Sequence, residues 1–122
     1  MSKKKILIVE DEIIIALDLK MRLENYGYSV LPIAGSARDA VDYAESHRPD
    51  VILMDVILKD DETGIDAARE IKRKSSVLII FTTGNPHLLY DDKGIKIFSE
   101  TVLSKPCSDQ ELIGAIESDP FA

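Results

Sequence analysis

The chain has 122 residues and a formal net charge of −7 at pH 7, with 45% hydrophobic and 30% charged residues. This balance predicts one globular domain over residues 1–122, and the negative charge argues against nucleic acid as a partner of the domain itself. The apolar runs are too short to cross a membrane or to form a signal-peptide core, and Cys107 is alone, so we expect a cytoplasmic protein with no membrane partner and no internal disulfide.

Strand and helix patterns alternate along the whole chain. Short apolar runs predict strands at residues 5–9, 29–34, 50–54, 77–82 and 101–104. Helices fit between and after them, at residues 13–26, 37–47, 65–74, 86–92 and 109–118, the fourth being weak by composition. Helix-end signals stand at Gly27, at Ser36 and at Ser108 with Glu111. The alternation predicts a doubly wound (βα)5 sandwich with a parallel five-stranded sheet.

Pro32 indicates the order of these strands. Because proline cannot donate to a strand ladder, the second predicted strand belongs at an edge of the sheet. The order 2-1-3-4-5 places it there and puts the reversal of the chain between the first and third strands. Ligands of such sheets bind at the carboxyl ends of the strands beside the reversal, where Asp11 and Asp55 stand.

Acidic residues follow two of the predicted strands directly. Glu10 and Asp11 follow the first strand, and Asp55 follows the third. Carboxylates packed at one sheet edge repel each other, and a proton or a cation relieves that repulsion. Hard oxygen donors suit Mg²⁺, and no histidine or cysteine stands near these acidic strand ends to favour zinc or a redox metal. The pattern therefore predicts a magnesium site built on these three acids.

Asp55 is the candidate nucleophile, although a lone aspartate after a strand often only caps the next turn. A carboxylate can accept a phosphoryl group as an acyl phosphate when nearby groups neutralise the charge. Lys105, held by a turn at Pro106, can pair with Asp55 at rest and with the phosphoryl oxygens after transfer. Either Thr82 or Thr83 can place a hydroxyl at the site, and the spacing leaves that choice open.

Four segments carry a joint pattern: ILIVEDE at 6–12, LMD at 53–55, FTTG at 81–84 and SKP at 104–106. In this order and spacing they resemble the receiver domain of two-component response regulators, and the resemblance covers essentially the whole chain. It implies a flavodoxin-like fold and a phosphoacceptor function in which a histidine kinase donates its phosphoryl group to Asp55 with Mg²⁺. Such a domain is not an enzyme in the usual sense, because it catalyses only its own phosphorylation and dephosphorylation and then signals to an output partner or domain.

The resemblance also implies individual roles. Asp11 and Asp55 would bind Mg²⁺ directly with the backbone carbonyl of Ile57, whereas Glu10 would act mainly through water. Thr83 aligns with the family's switch hydroxyl and is chosen over Thr82 on that ground.

Further positions concern the conformational response to phosphorylation and the lifetime of the acyl phosphate. Gly64 fits the family's glycine ahead of the third helix. Val102 stands where the family usually has a rotating Tyr or Phe. Apolar Ile57 cannot orient an attacking water, which predicts slow to moderate self-dephosphorylation. The face formed by the fourth helix, fifth strand and fifth helix is the expected output surface and a candidate homodimer surface.

Three other functions share part of this pattern. A pseudo-receiver would keep the fold as an interaction module without phosphorylation, but the intact acids, Thr83 and Lys105 argue against it. A flavin carrier of the flavodoxin type needs a phosphate-binding loop after the first strand, where this chain has acids. A phosphatase of the haloacid-dehalogenase type usually has a second acid two residues after its nucleophile, where this chain has Ile57. A stand-alone receiver and a part of a larger regulator or hybrid kinase fit the sequence equally well.

Overall fold

A computed structural model describes residues 3–58, 63–85 and 101–118. In these residues five strands form one parallel sheet in the order β2-β1-β3-β4-β5, as predicted. The strands are β1 Lys5–Val9, β2 Ser29–Val30, β3 Val51–Asp55, β4 Leu78–Thr83 and β5 Thr101–Ser104. The helices are α1 Ile13–Asn25, α2 Ala37–His47, α3 Gly64–Lys74 and α4 Asp109–Ile116. The helix predicted at 86–92 lies outside the described residues.

Two hydrophobic layers enclose the sheet, one on each face. Alternate residues of a strand point to opposite faces, so each central strand contributes to both layers. The layer under α2 and α3 includes Leu7, Ile52, Ala68 and Phe81, and the layer under α1 and α4 includes Ile6, Leu23, Leu53 and Leu112. Every residue of β3 is buried, which explains its continuous apolar sequence. No helix of the described residues is long and apolar enough to cross the hydrocarbon core of a bilayer.

The helix ends follow the predicted cap residues. The Ser36 hydroxyl accepts a hydrogen bond from the Asp39 backbone N–H, with N and O 3.1 Å apart, at the start of α2. Ser108 and Glu111 form a reciprocal capping box at the start of α4. Gly27 follows α1 with a φ of 92°, a left-handed conformation that favours glycine. Ser36 and Ser108 thus mark where two loops of the carboxyl edge end, whereas Gly27 lies in a loop at the opposite edge of the sheet.

The second strand is shorter than predicted. Its ladder covers only Ser29–Val30, against the expected 29–34, although it lies at the sheet edge as Pro32 indicates. Leu31 N donates to Ile6 O and Ala34 N donates to Ile8 O, each at 2.9 Å. The two hydrogen bonds are three residues apart in this segment but only two residues apart in β1. One residue is therefore extra on the β2 side, and the regular ladder stops beside the proline.

Candidate functional site

The carboxyl ends of β1 and β3 bring three acids together. The two strands are parallel and Val9 pairs with Met54, so the residues that follow, Glu10 and Asp55, come side by side. Glu10 N donates to Ala34 O at 3.0 Å, which fixes the chain where β1 ends. One carboxylate oxygen from each of Glu10, Asp11 and Asp55 lies within 4.8 Å of the other two.

Glu10 is the most buried member of this acidic cluster. Its side chain is 3% exposed, and its Oε2 atom has no hydrogen-bond partner in the described part of the chain. Burial, and then the hydrogen bond and charge of neighbouring Asp55, raise the pKa of Glu10, Lys105 opposes them, and the net result is a pKa of about 8. The cluster thus holds more negative charge than its one ammonium group neutralises.

Lys105 approaches the acids from the end of β5. Its Nζ lies 2.9 Å from Glu10 Oε1 and 3.2 Å from Asp55 Oδ2. Burial lowers the pKa of Lys105, but its hydrogen bond to Glu10 and the charges of both acids outweigh burial and raise the pKa above its ordinary value. The Lys105–Pro106 peptide bond is cis, and Lys105 N donates to Thr83 O at 2.9 Å. Through its two Nζ contacts, the lysine bridges the ends of β1 and β3, which carry Glu10 and Asp55.

Both threonines at the end of β4 are buried. Thr82 pairs in register with Asp55, and Thr83 pairs with Ser104. The Thr83 hydroxyl oxygen accepts a hydrogen bond from Asn85 N at 3.0 Å, which leaves its own proton available for donation. The choice of Thr83 over Thr82 rests on the family resemblance and stays a prediction.

The loop after Asp55 folds back against the site. Ile57 N lies 3.4 Å from Asp55 Oδ1, and Ile57 forms an isolated bridge with Thr63. Gly64 N donates to Val56 O at 2.7 Å, and a Cβ added at Gly64 would lie 2.0 Å from the backbone oxygen of Asp55. The resemblance names Gly64 but gives no reason for it; the reason is this close approach to the Asp55 backbone. Residues 59–62, of which the last three are acidic, lie outside the described residues.

The donor set fits a hard divalent cation. Three carboxylates converge, and the orphaned Glu10 Oε2 is a buried acceptor that needs a positive or hydrogen-bonding partner. Oxygen-only ligands are those that Mg²⁺ prefers in proteins. The described residues therefore provide the predicted acidic pocket, and its composition is compatible with Mg²⁺.

Similarity to known proteins supports the same interpretation. PdtaR, a transcriptional regulatory protein of Mycobacterium tuberculosis, is 37% identical over 114 residues, which cover 93% of this chain and 55% of PdtaR. The receiver domain of the response regulator PhyR from Erythrobacter litoralis superimposes with a TM-score of 0.85 at 26% identity, covering 95% of this chain and 88% of that chain. The receiver domain of the sensor histidine kinase PA1611 from Pseudomonas aeruginosa, solved with a magnesium ion in its active-site cleft, gives a TM-score of 0.79 at 31% identity, covering 94% and 95%.

The chain spans about half the length of the curated relative PdtaR. What it shares with that relative is therefore one domain, and the activities of the whole relative do not follow from the match. The sequence profile of the response regulator receiver domain matches residues 6–117, which is nearly the whole chain and includes all of the strand ends described above. This chain belongs to the response regulator receiver domain family.

Proposed function

We propose that this domain accepts a phosphoryl group on Asp55 from the phosphohistidine of a histidine kinase, with Mg²⁺ bound beside it. One observation carries the proposal: an ammonium group and two further carboxylates surround the same buried aspartate. Lys105 Nζ is 3.2 Å from Asp55 Oδ2, and Glu10 and Asp11 place carboxylate oxygens within 4.8 Å of Asp55. Phosphoryl transfer depends mainly on positioning and charge neutralisation, and this arrangement provides both.

In the proposed reaction a carboxylate oxygen of Asp55 attacks the phosphorus atom of the donor. The new P–O bond forms as the P–N bond to the donor histidine breaks, and the histidine nitrogen keeps the bonding electron pair. Asp11, Asp55 and the backbone carbonyl of Ile57 would hold Mg²⁺, with Glu10 acting mainly through water. When bound, Mg²⁺ supplies positive charge that offsets the carboxylates and the phosphoryl oxygens.

Lys105 and Thr83 would respond to the new group. Lys105 already pairs with Asp55, so its ammonium can shift to a phosphoryl oxygen without leaving the site. The hydroxyl proton of Thr83 can donate to another phosphoryl oxygen. Val102 is partly buried against the core layer under α2 and α3. Because valine has no aromatic ring, the proposed conformational signal does not depend on ring rotation at this position. Population shift between two states of the domain would carry the signal to an output partner or domain.

A surface beside the site supports a protein as the phosphodonor. Four apolar side chains of α1 are 50% to 80% exposed, which is unusual because α1 also buries a second apolar face against the sheet. We call these four residues the α1 stripe: Ile13, Ile14, Leu17 and Met21. The stripe begins two residues after Asp11, and Ile57 beside Asp55 is also 58% exposed. A donor protein that covers Asp55 would bury this apolar surface.

The remaining parts of the proposal concern place and partners. The domain would work in the cytoplasm, would bind no nucleic acid itself, and would turn over no external substrate. Self-dephosphorylation would be slow to moderate, because the apolar Ile57 side chain cannot orient a water. A homodimer through the surface that includes β5 and α4 is a further proposal; the rest of that surface lies outside the described residues.

Intact mass after incubation with Mg²⁺ and acetyl phosphate tests the proposal. We expect the mass of one phosphoryl group to be added to the parent protein and lost after alkaline treatment, because acyl phosphates are labile to base. The addition should disappear in Asp55→Asn and in EDTA, and it should persist in Asp42→Asn, whose exposed side chain is on α2. Failure of the parent to gain mass, together with failure to bind Mg²⁺, would instead indicate a pseudo-receiver that acts only through protein contacts.

A further inference from the structure

An arginine of α1 holds the segment between Lys105 and α4. Arg22 donates from Nη2 to Cys107 O at 2.8 Å and from Nε to Asp109 Oδ1 at 2.5 Å. Its Nη1 lies 3.5 Å from Asp18 Oδ2, one helical turn earlier. The Arg22 side chain is 21% exposed, so these charge-assisted hydrogen bonds are more shielded from water than those of an ordinary surface pair.

The held segment carries the lysine of the site. Residues 105–108 form neither helix nor strand, and the carbonyl that Arg22 binds belongs to Cys107, two residues after Lys105. At the other end, Lys105 N donates to Thr83 O at 2.9 Å. The short segment is thus tied to β4 on one side and to α1 on the other, and the Lys105 ammonium extends from it to Glu10.

We propose that Arg22 is a positioning residue for Lys105, which it places between Glu10 and Asp55 by fixing the backbone at Cys107. The proposal rests on the phosphoacceptor function proposed above. Geometry supports it, because a shift of the segment by about 1 Å would move the Lys105 backbone relative to the acids that its Nζ contacts at 2.9 and 3.2 Å, and misplacements of that size slow positioned reactions strongly. The capping box of Ser108 does not involve Arg22, so α4 should stay folded when Arg22 is replaced.

A double-mutant cycle tests whether Arg22 acts through Lys105. The rate of phosphorylation by acetyl phosphate is measured from intact mass in the parent, Arg22→Met, Lys105→Met and the double variant. We expect Arg22→Met to slow the parent by roughly tenfold, and to slow the Lys105→Met background little or not at all, because the group to be positioned is absent there. Equal slowing in both backgrounds would overturn the proposal.

Two readouts separate positioning from general loosening of the fold. Isothermal titration should give Arg22→Met an affinity for Mg²⁺ equal to or higher than that of the parent, because a displaced ammonium competes less for the carboxylates. General damage would weaken Mg²⁺ binding instead, and that result would contradict a positioning role. Arg22→Lys, which keeps the charge but lacks the fork of donors, should restore only part of the lost rate.

The second readout is the side-chain NMR signal of Lys105, assigned by its loss in Lys105→Met. Arg22→Met should move this signal toward that of a solvent-exposed lysine, and an unmoved signal would overturn the proposal. The matched control is Arg38→Met: Arg38 also pairs with an aspartate four residues on, at 3.4 Å, but it lies on α2 and is 83% exposed. The control should leave the rate, the Mg²⁺ affinity and the signal unchanged. Because this signal needs no phosphorylation, its result is distinct from a failure of Asp55 to accept phosphate.

Discussion

At the scale of single residues, Gly64 is the position where the smallest change should disturb the site most. A Cβ at Gly64 would lie 2.0 Å from the Asp55 backbone oxygen and 2.7 Å from Met54 Cγ. A side-chain rotation cannot relieve an overlap with backbone, so Gly64→Ala must displace α3 or the residue that carries the nucleophile. We expect the free energy of unfolding to fall by about 1–3 kcal/mol and the affinity for Mg²⁺ to fall with it. Denaturant unfolding and isothermal titration measure the two quantities.

The chain offers a matched control for this substitution. Gly114 lies inside α4, and a Cβ added there meets nothing within 4 Å. Alanine favours helix over glycine, so Gly114→Ala should raise the free energy of unfolding by about 0.5–1 kcal/mol and leave Mg²⁺ binding unchanged. An unchanged affinity in Gly64→Ala would show that the Asp55 backbone tolerates the extra carbon.

Much of the site at this scale could be predicted from the sequence. Parallel strands end at the same edge, so acids at the carboxyl ends of β1 and β3 had to meet, and the structure places Glu10 and Asp55 side by side. Sequence spacing could not show that Lys105 bonds to Glu10 as well as to Asp55, because that depends on the reach of a flexible side chain. The Arg22 contacts were also missed, since their partners lie 85 and 87 residues away in the chain.

At the scale of elements, the exposed apolar face of α1 gives the clearest prediction, which is that a donor protein docks on it. Replacing two residues of the α1 stripe, Ile14→Ser with Leu17→Ser, should slow phosphorylation by a donor protein at least about fivefold. It should leave phosphorylation by acetyl phosphate unchanged, because a small donor needs no docking surface. The donor is chosen from a panel of purified, autophosphorylated histidine kinases as the one that phosphorylates the parent fastest, and transfer is followed over time.

The control for the α1 stripe lies just after the far end of the same helix. Tyr26 is also more than half exposed but stands thirteen residues beyond Ile13, so Tyr26→Ser should leave both rates unchanged. Exposed substitutions of this kind usually change the free energy of unfolding by less than about 0.5 kcal/mol, and this can be checked by thermal unfolding. Equal slowing with the protein donor and with acetyl phosphate would mean that the stripe affects the site rather than docking.

The elements themselves differ in how well local sequence predicts them. Helix α2 begins after Ser36 and ends at His47 as predicted, because its cap hydroxyl and its amphipathic pattern act over a few residues. The sequence predicted that β2 lies at the sheet edge, but it did not predict where β2 ends. The length of the strand depends on how the chain passes Pro32 while still pairing with β1. Helix α1 has apolar residues on two faces, and sequence periodicity alone does not show which of them is buried. That distinction requires knowing which face of the helix packs on the sheet.

At the scale of the whole molecule, the sheet order was predictable because two independent signals agreed. Pro32 placed one strand at the edge, and the strand-helix alternation limited the remaining orders to a few with right-handed connections. The sequence could not show that the fold buries Glu10 beside Asp55 with one oxygen unpaired, because burial is a property of the assembled layers. This buried carboxyl group links the stability of the whole domain to pH and to Mg²⁺.

The pKa of Glu10 sets the direction of that linkage. The folded state raises it from 4.5 to about 8, so the folded protein holds a proton that the unfolded chain has released. Its contribution to stability is fully present below pH 4.5 and is lost as the pH rises through about 8. In metal-free buffer the free energy of unfolding should therefore fall between pH 5 and pH 8, by at most about 1.4 kcal/mol per pH unit. Glu111 and Glu117 have lowered pKa values, so their contributions to the free energy of unfolding are lost only below the pH range of this test.

Denaturant unfolding at pH 5 and pH 8, with EDTA or with Mg²⁺, tests this linkage. Glu10→Gln should remove most of the fall in metal-free buffer, whereas Glu24→Gln, an exposed acid of α1, should not. Mg²⁺ binds the deprotonated carboxylates, so it should stabilise the parent more at pH 8 than at pH 5. At a hundred times its Kd at pH 8, the total stabilisation should be about 2.7 kcal/mol. A parent whose metal-free stability does not fall between pH 5 and pH 8 would show that Lys105 alone keeps Glu10 ionised. In that case the cluster would keep more negative charge than the Lys105 ammonium group neutralises, so Mg²⁺ should stabilise the parent at pH 5 as well as at pH 8.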